Sequence, residues 1–252
     1  MERMSFRAHL IELQRRLKFS LLFWGIGFSI SVLLRDHLMA IVRYPHQWAM
    51  DKLKLAPTLY VFSYQDSVIL QFKIFAFSGF VMAFPFILYQ LLQFVAPGLL
   101  DKEKKPLIYI YLPAFLLLFL LGALFSYFFL VPYGLYFLIL YGTQVELFPL
   151  IAFSDYISLF LVLILLTAFL FELPLGMILI SKMGFFSATD FRKKRRWAIL
   201  ITFIVAAVLT PPDPISQLIM AVPMLILYEV GILGVTIVEK KSKEKQIDFL
   251  KK

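Results

Sequence analysis

The sequence contains no cysteine and few charged residues. Without cysteine the chain has no disulfides, no thiolate chemistry and no Cys-based metal sites. The three histidines do not have the spacing of metal ligands, and the sequence contains no nucleophile–base pair or phosphate-binding loop. We therefore expect no metal, no cofactor and no enzymatic activity.

The scarcity of charge accompanies an excess of apolar residues. Hydrophobic residues make up 61% of the 252 positions and charged residues 16%, with a mean hydropathy of +0.85. Soluble domains typically have about 45–50% apolar and about 25% charged residues. The formal net charge of +9 could indicate nucleic-acid binding, but the basic residues lie between apolar blocks rather than on a soluble face. The composition predicts an integral membrane protein that does not bind nucleic acid.

The apolar blocks predict membrane-spanning helices, because a bilayer core about 30 Å thick needs roughly 20 apolar residues per helix. The last block is interrupted at residues 210–214, where consecutive prolines lack amide donors and force a turn between two short spans. We predict an all-α integral membrane protein in which residues 1–252 form a single six-span domain. The predicted spans are approximately residues 19–34, 67–95, 107–131, 156–181, 197–210 and 216–238.

The distribution of Lys and Arg predicts the orientation of the chain. If both termini lie on one side, the segments on that side carry 20 Lys and Arg residues and the opposite loops carry 4. By the positive-inside rule this asymmetry places both termini in the cytoplasm. The outer loop at residues 35–66 contains Pro45 and Trp48 and has the pattern of a short amphipathic helix at the outer interface.

Glu172 lies near the middle of the fourth predicted span, two residues before Pro174. An acidic residue at that depth costs about 2.5–3.5 kcal/mol on insertion scales, so it needs a partner or a wet cavity. Pro174 frees a backbone carbonyl and is expected to kink the span. We interpret Glu172 as a polar site inside the membrane. The alternative is a neutral glutamic acid that hydrogen-bonds within the bundle.

Glu12 and Glu103 are acids in basic neighbourhoods on the predicted cytoplasmic side. Glu12 lies beside Arg15 and Arg16, and Glu103 lies between Lys102 and Lys104. One interpretation is a solvated ion pair at a helix end, worth about 0–1 kcal/mol. The other is a binding site for arginine, because carboxylates bind a guanidinium group in a planar, bidentate way that lysine does not reproduce.

Further polar residues lie at the start of the sixth predicted span. Asp213 fits the position of a helix cap, and Gln217 is expected to face the bundle rather than lipid. The basic run at residues 192–196 is interpreted as a topology anchor beside anionic lipid.

Five stretches, in order and at suitable spacing, form motifs that together cover nearly the whole chain. They are HLIEL at residues 9–13, the segment 89–105 with its acidic-basic loop DKEKK, FELP at 171–174, DFRKKR at 190–195, and LTPPD at 209–213 followed by Ser216, Gln217, Pro223 and Met224. These motifs resemble the TatC family, the receptor subunit of the twin-arginine protein translocase. Gln14 departs from the family pattern, which often has arginine there.

The resemblance implies a membrane protein of the bacterial cytoplasmic (inner) membrane, with six spans in a concave, glove-like arrangement and both termini in the cytoplasm. It also implies that the chain binds the twin-arginine signal peptides of folded proteins and supports their export, driven by the proton-motive force. By their match to the family, Glu12 and Glu103, with the neighbouring Arg15 and Lys102, are assigned to the signal-peptide site.

The resemblance further implies protein partners. Residues that match Glu172, Thr210 and Gln217 contact the single-span subunits TatA and TatB, and other copies of TatC and membrane lipid are further partners. Structural or functional roles are assigned to four residues in the loops: Pro45, Pro211, Pro212 and Asp213.

Two rival functions follow from the residues alone. A proton-coupled secondary transporter would use Glu172 as its coupling site, but it would also need a second midplane ionisable residue or a pair of broken helices, which the sequence does not clearly show. A purely structural scaffold would use the same glutamates for stability alone.

Overall fold

The structure, a computed structural model, describes residues 6–95, 106–144, 150–210 and 214–250. These residues are helical almost throughout, with one isolated parallel bridge between Tyr60 and Ala152. The α-helices are α1 (Phe6–Leu33), α2 (Arg35–Leu53), α3 (Tyr64–Val95), α4 (Leu112–Phe125), α5 (Val131–Gln144), α6 (Phe153–Leu170), α7 (Leu173–Lys182), α8 (Ala188–Lys193), α9 (Arg195–Leu209) and α10 (Pro214–Leu250).

Five helical stretches in the described part of the chain are long and apolar enough to cross a membrane. They comprise residues 9–33, 64–94, 108–143, 153–182 and 214–240. The fifth predicted span corresponds to α9, which has 15 residues and is therefore about 22 Å long, less than the thickness of a bilayer core. The all-helical membrane class is confirmed, whereas the sixth crossing and the orientation of the termini stay predictions.

The third apolar helix continues beyond the predicted end of its span at residue 131. Helix α5 carries it on to Gln144, through Pro132. A π-helical turn at Ser126–Leu130 comes directly before α5, and the amide of Val131 donates to the carbonyl of Ser126 five residues earlier. This wider turn changes the bonding pattern just where proline has no amide to offer, so the helix passes through Pro132 without ending.

The described residues form two compact units. The first takes in residues of the ranges 1–44, 58–116 and 150–161, and the second takes in residues of the ranges 45–57, 117–149 and 162–252.

In the first unit, α1 packs along α3. A Cβ atom at Gly27 would lie 2.5 Å from the carbonyl oxygen of Gly79, so the two backbones are in direct contact there. One turn earlier, the indole Nε1 of Trp24 donates to the carbonyl of Ala76 at 2.9 Å. The absence of side chains at both glycines allows this approach, which fixes the register of the two helices.

The start of α6 also belongs to the first unit. The hydroxyl of Tyr156 donates to the carbonyl of Val42 on α2, and the ammonium group of Lys73 on α3 donates to the hydroxyl of Ser158 at 3.1 Å. These bonds tie three helices together at one end of the unit.

In the second unit, α7 packs against α10 at two glycines. Gly231 lies against Met177, and Gly234 lies against Ile178. Because the contacts advance in the same direction along both helices, α7 and α10 run parallel. Small residues at the contact allow the close approach that membrane helices use in place of a hydrophobic driving force.

The helix predicted in the outer loop is present as α2. It contains Pro45, which is fully buried and lies inside the helix rather than in a loop. In the second unit, Trp48 of α2 packs on Tyr133 with 4.9 Å between ring centroids, and Lys52 lies over the same indole ring.

Candidate functional site

Glu12 lies on α1 and is engaged by an arginine of the same helix. The Nη2 atom of Arg16 donates to the Oε1 atom of Glu12 at 3.2 Å, and its Nη1 atom donates to the Oε1 atom of Gln90 on α3 at 3.0 Å. The side chains of Glu12 and Arg16 are 19% and 28% exposed, so the pair is neither fully solvated nor closed off. One guanidinium group therefore bridges a carboxylate and an amide from two helices.

Local helix geometry explains the choice of partner. Residues four apart face each other on a helix, so Arg16 reaches Glu12, whereas the adjacent Arg15 points elsewhere. The guanidinium carbon of Arg15 lies 5.9 Å from the ring centroid of Phe19, and the residue is exposed. The structure thus brings Glu12 together with Arg16 and Gln90, not with the predicted Arg15.

The C-terminal end of α3 lies beside the group formed by Glu12, Arg16 and Gln90. The ring of His9 stacks on Phe94 with 4.4 Å between centroids, next to the N-terminal turns of α1. Sequence reasoning did not assign Gln90 or His9 to the site. The available signal was Gln90 itself, an amide near the end of an apolar helix, which the sequence does not distinguish from Gln93 three residues later.

Several predicted site residues lie outside the described residues. These are Lys102 and Glu103 of the proposed signal-peptide site, and Pro211, Pro212 and Asp213 of the predicted turn.

Glu172 lies at a break in the fourth apolar helix. Helix α6 ends at Leu170 and α7 begins at Leu173, with Phe171 and Glu172 in a turn between them. Pro174 has no amide to donate to the carbonyl of Leu170, which explains why the helix breaks here, as the sequence predicted.

The carboxyl group of Glu172 is shielded from solvent. Neither of its oxygens has a hydrogen-bond partner of ordinary geometry among the described residues, although the backbone of Phe119 is near enough to interact with the group. The two interpretations of Glu172, a polar site inside the membrane and a neutral glutamic acid bonded within the bundle, therefore both stay predictions. A buried polar group left without a partner costs about 1–3 kcal/mol, so the site would gain from an additional donor.

Close packing of α4 on α6 surrounds this break. A Cβ atom at Gly122 would lie 2.8 Å from the carbonyl oxygen of Thr167 and 2.9 Å from the Cβ atom of Phe171. The hydroxyls of Thr167 and of Ser126, one turn after Gly122, are buried and have no ordinary hydrogen-bond partner among the described residues. Sequence reasoning missed both, because a hydroxyl in an apolar run carries no signal of what faces it.

Thr210 and Gln217 make local contacts at the junction of α9 and α10. The hydroxyl of Thr210 donates to the carbonyl of Ala206 at 2.8 Å, and the Nε2 atom of Gln217 donates to the carbonyl of Phe203 at 3.0 Å. Gln217 therefore faces the neighbouring helix, as expected, and links α9 to α10.

The structure does not bring Glu172 next to these two residues. Met177 lies against Gly231, and the parallel register then places Glu172 level with a point nine residues beyond Gln217. This corresponds to about 14 Å along the helix axis.

The basic segment that follows α7 is fastened to α10. The carboxylate of Glu239 accepts from the amide of Ala188 at 2.9 Å and from the hydroxyl of Ser181 at 3.3 Å. Arg195 pairs with Glu229 at 2.6 Å. Sequence reasoning assigned the basic run to lipid alone and missed both glutamates.

Helix α8 in this segment begins with a capping box between Ser187 and Asp190. The hydroxyl and the backbone amide of Ser187 both donate to the carboxylate of Asp190 and hold its pKa below the usual value. No group of three or more His, Asp or Glu residues that could hold a metal ion occurs within the described ranges.

Long apolar helices, one of them interrupted at a shielded carboxyl group, define the chain as a multi-pass membrane protein. Residues 8–223 match the family described as Sec-independent protein translocase protein (TatC). The chain belongs to this family and is a component of the Sec-independent protein translocase.

Relatives match along almost their whole length. The Sec-independent protein translocase protein TatC of Aquifex aeolicus (strain VF5) is 33% identical over 247 residues, which cover 96% of this chain and 99% of the relative. That of Desulforapulum autotrophicum is 33% identical over 245 residues, which cover 96% and 87%. A crystal structure of the twin-arginine translocase receptor TatC has a TM-score of 0.76 at 32% identity and covers 91% of this chain and 98% of that one.

Proposed function

We propose that this chain is the signal-peptide receptor of the twin-arginine translocase. It binds the twin-arginine signal peptides of folded proteins at the cytoplasmic face and organises TatA and TatB for export driven by the proton-motive force. The similar crystal structures are described as a twin-arginine translocase receptor, which supports this assignment.

The observation that carries the proposal is the guanidinium group held by Glu12. Its carboxylate, on a segment rich in Arg and Lys, already accepts a hydrogen bond from Arg16 at 3.2 Å. A site that binds one guanidinium group has the chemistry to bind the arginine of a peptide, which a face of uniform positive charge would repel. The proposed site also includes Glu103 with its sequence neighbour Lys102, and Arg15, which follows Glu12 in the sequence but does not contact it in the structure.

The proposed topology has six spans and both termini in the cytoplasm of a bacterial inner membrane. Helix α9 is the fifth crossing, and its 15 residues require the bilayer to thin locally. The excess of Lys and Arg in the segments of one side supports the orientation.

Glu172, Thr210 and Gln217 are the proposed contact site for the single-span partners. The axial separation of about 14 Å between Glu172 and Gln217 equals between two and three helical turns. A partner helix packed alongside therefore spans both levels at once. The shielded carboxyl group of Glu172 supports this role, because a donor from the partner would satisfy it.

Binding of a fluorescent twin-arginine signal peptide to the purified protein in detergent tests the proposal, with a twin-lysine peptide as the control. We expect binding that collapses when the arginine pair is replaced by lysine. Equal binding of both peptides would contradict the receptor function. If neither peptide binds, the measurement is repeated with TatB present, and continued absence of binding would overturn it.

The proton-coupled transporter is kept as the second candidate because the helix breaks at Glu172, as the helices of many transporters do. Substrate-dependent proton uptake by the protein alone in liposomes would favour it over the receptor function.

A further inference from the structure

We propose that Glu12 and Gln90 form a two-acceptor site for a guanidinium group, and that Arg16 of the chain itself fills this site until a signal-peptide arginine displaces it. This inference rests on the proposed receptor function and adds to it a second binding residue, Gln90, and an internal competitor, Arg16.

The geometry shows one guanidinium group shared between two acceptors. Nη2 of Arg16 reaches the carboxylate of Glu12 at 3.2 Å, and Nη1 reaches the amide oxygen of Gln90 at 3.0 Å. Gln90 is only 8% exposed, so its side chain is held in place by packing. The acceptors come from α1 and α3, whose register is fixed at Gly27, so the site is formed before any ligand arrives.

The chemistry selects arginine over lysine. A planar guanidinium group presents several N–H donors in a fixed fork and can serve two acceptors at once. An ammonium group is a compact point charge without this fork of donors. It therefore cannot reach Glu12 and Gln90 at the same time with the geometry of Arg16. The neutral acceptor Gln90 therefore contributes to discrimination without adding charge.

Arg16 is an internal competitor of modest strength. Its pair with Glu12 is partly exposed and four residues apart on one helix, an arrangement whose small net stability makes it replaceable. Because the competitor is tethered, it is present at every peptide concentration and lowers the apparent affinity by a constant factor. For a pair of this class the factor is about two- to sixfold.

The test measures the affinity of the full-length protein in detergent for the fluorescent twin-arginine peptide. The first variant is Arg16→Lys, which keeps the charge and removes the fork. The second is Arg16→Gln, and its matched control is Lys18→Gln, which removes one positive charge from an exposed position two residues away. Melting temperature and gel filtration confirm that each variant is folded.

We expect Arg16→Gln to bind the peptide about two- to sixfold more tightly than the wild type, and Lys18→Gln to change binding less than Arg16→Gln. Arg16→Lys should gain less than Arg16→Gln, because an ammonium group four residues from Glu12 still pairs with the carboxylate but no longer reaches Gln90 at the same time. Weaker binding by folded Arg16→Lys would mean that Arg16 positions Glu12 instead of competing, and would overturn the inference. Equal gains in Arg16→Gln and Lys18→Gln would reduce the effect to net charge and would overturn it too.

The role of Gln90 has a separate readout. Gln90→Leu should reduce the preference for the twin-arginine over the twin-lysine peptide, and Gln90→Glu should increase affinity for arginine. An unchanged preference in folded Gln90→Leu would remove Gln90 from the site. Failure of the wild type to prefer twin-arginine, even with TatB, would instead contradict the proposed function itself, so the two failures are distinguishable.

Discussion

In the first unit, the carboxylate of Glu12 already has a guanidinium partner from its own helix. In the second unit, both oxygens of Glu172 lack a partner of ordinary geometry among the described residues. Both are acids in an apolar chain, but one lies on a continuous helix beside basic residues and the other in a helix break. The first arrangement is suited to exchange of one ligand for another, and the second to completion by a donor from outside the chain.

This difference has an energetic basis. Exchange at Glu12 replaces one charge-assisted hydrogen bond by another, so its net free energy is small and readily reversed. Completion at Glu172 supplies a hydrogen bond to a group that has lost its solvent, so each such bond contributes more. We therefore expect binding of signal peptides at Glu12 to be reversible, and partner contacts at Glu172 to be more persistent.

The largest effect should follow from Glu172→Ala. Removing the carboxyl group removes the proposed interaction with the partner helix, which at about 1.5–3 kcal/mol corresponds to roughly a 10- to 150-fold loss in association. Site-specific crosslinking to TatA and TatB, and transport into membrane vesicles, measure it. Signal-peptide affinity should stay near the wild-type value, and Glu172→Gln, which keeps a hydrogen-bonding group, should retain more crosslinking. Crosslinking at the wild-type level in Glu172→Ala would contradict the proposed role of Glu172 in partner binding, and with it the proposed difference between Glu172 and Glu12.

The next effect should follow from Glu12→Gln. It keeps the shape of the side chain and removes the charge, so peptide affinity should fall by about tenfold through loss of a charge-assisted hydrogen bond. Glu103→Ala should weaken binding in the same way while the protein stays folded. Fluorescence titration checks both, and unchanged affinity in Glu103→Ala would remove that residue from the site. Crosslinking to the partners through Glu172 should persist.

A third effect concerns the helix pair that carries Glu12. In Gly27→Ala, the added methyl group would meet the backbone of Gly79, and overpacking of this kind destabilises by about 1–3 kcal/mol. Gly25→Ala is the matched control, because a Cβ atom there meets nothing within 4 Å. Thermal unfolding in detergent should show a loss for Gly27→Ala only. Equal melting temperatures would indicate that α1 and α3 do not depend on this contact.

The smallest effect concerns Asp190, a carboxylate satisfied within its own turn. The hydrogen bonds from Ser187 lower its pKa in the folded state, so the stability they give is fully present above the ordinary pKa of aspartate and is lost as the pH falls through the lowered pKa of the folded state. Ser187→Ala should raise the pKa of Asp190 toward its ordinary value. Amide exchange in α8 at neutral and acidic pH measures this. The difference between variant and wild type should shrink at low pH to the part contributed by the bond from the amide of Asp190 to the hydroxyl of Ser187, which does not depend on the carboxylate.

Much of the second site could be predicted from the sequence. Pro174 indicated the break, Glu172 stood alone in an apolar span, and Gln217 was expected to face the bundle. Each of these signals is local, because it depends on what a residue does to its own helix. What the sequence could not show is the axial separation of Glu172 from Gln217, which is set by the pairing of α7 with α10.

Less of the first site could be predicted. Glu12 was selected from the sequence as a candidate. The role of Gln90 depends on the contact of α1 with α3, because Gln90 and Arg16 are 74 residues apart along the chain. The basic neighbourhood suggested Arg15 as readily as Arg16, and only the helical phase decides between them. Glu239 was missed for the same reason, because its partners belong to α8 and α7.

The third apolar helix is longer than the hydrocarbon core of a bilayer is thick. Its 36 residues from Ile108 to Thr143 extend about 54 Å, whereas a core of about 30 Å crossed at a steep tilt of about 40° takes up about 39 Å, or 26 residues. At this tilt about ten of its residues are therefore expected to lie outside the hydrocarbon. Because the chain has no cysteine, Tyr141→Cys near the C-terminal end of this helix would carry the only thiol. A membrane-impermeant maleimide applied to intact cells would then report directly on which side of the membrane that end of the helix lies.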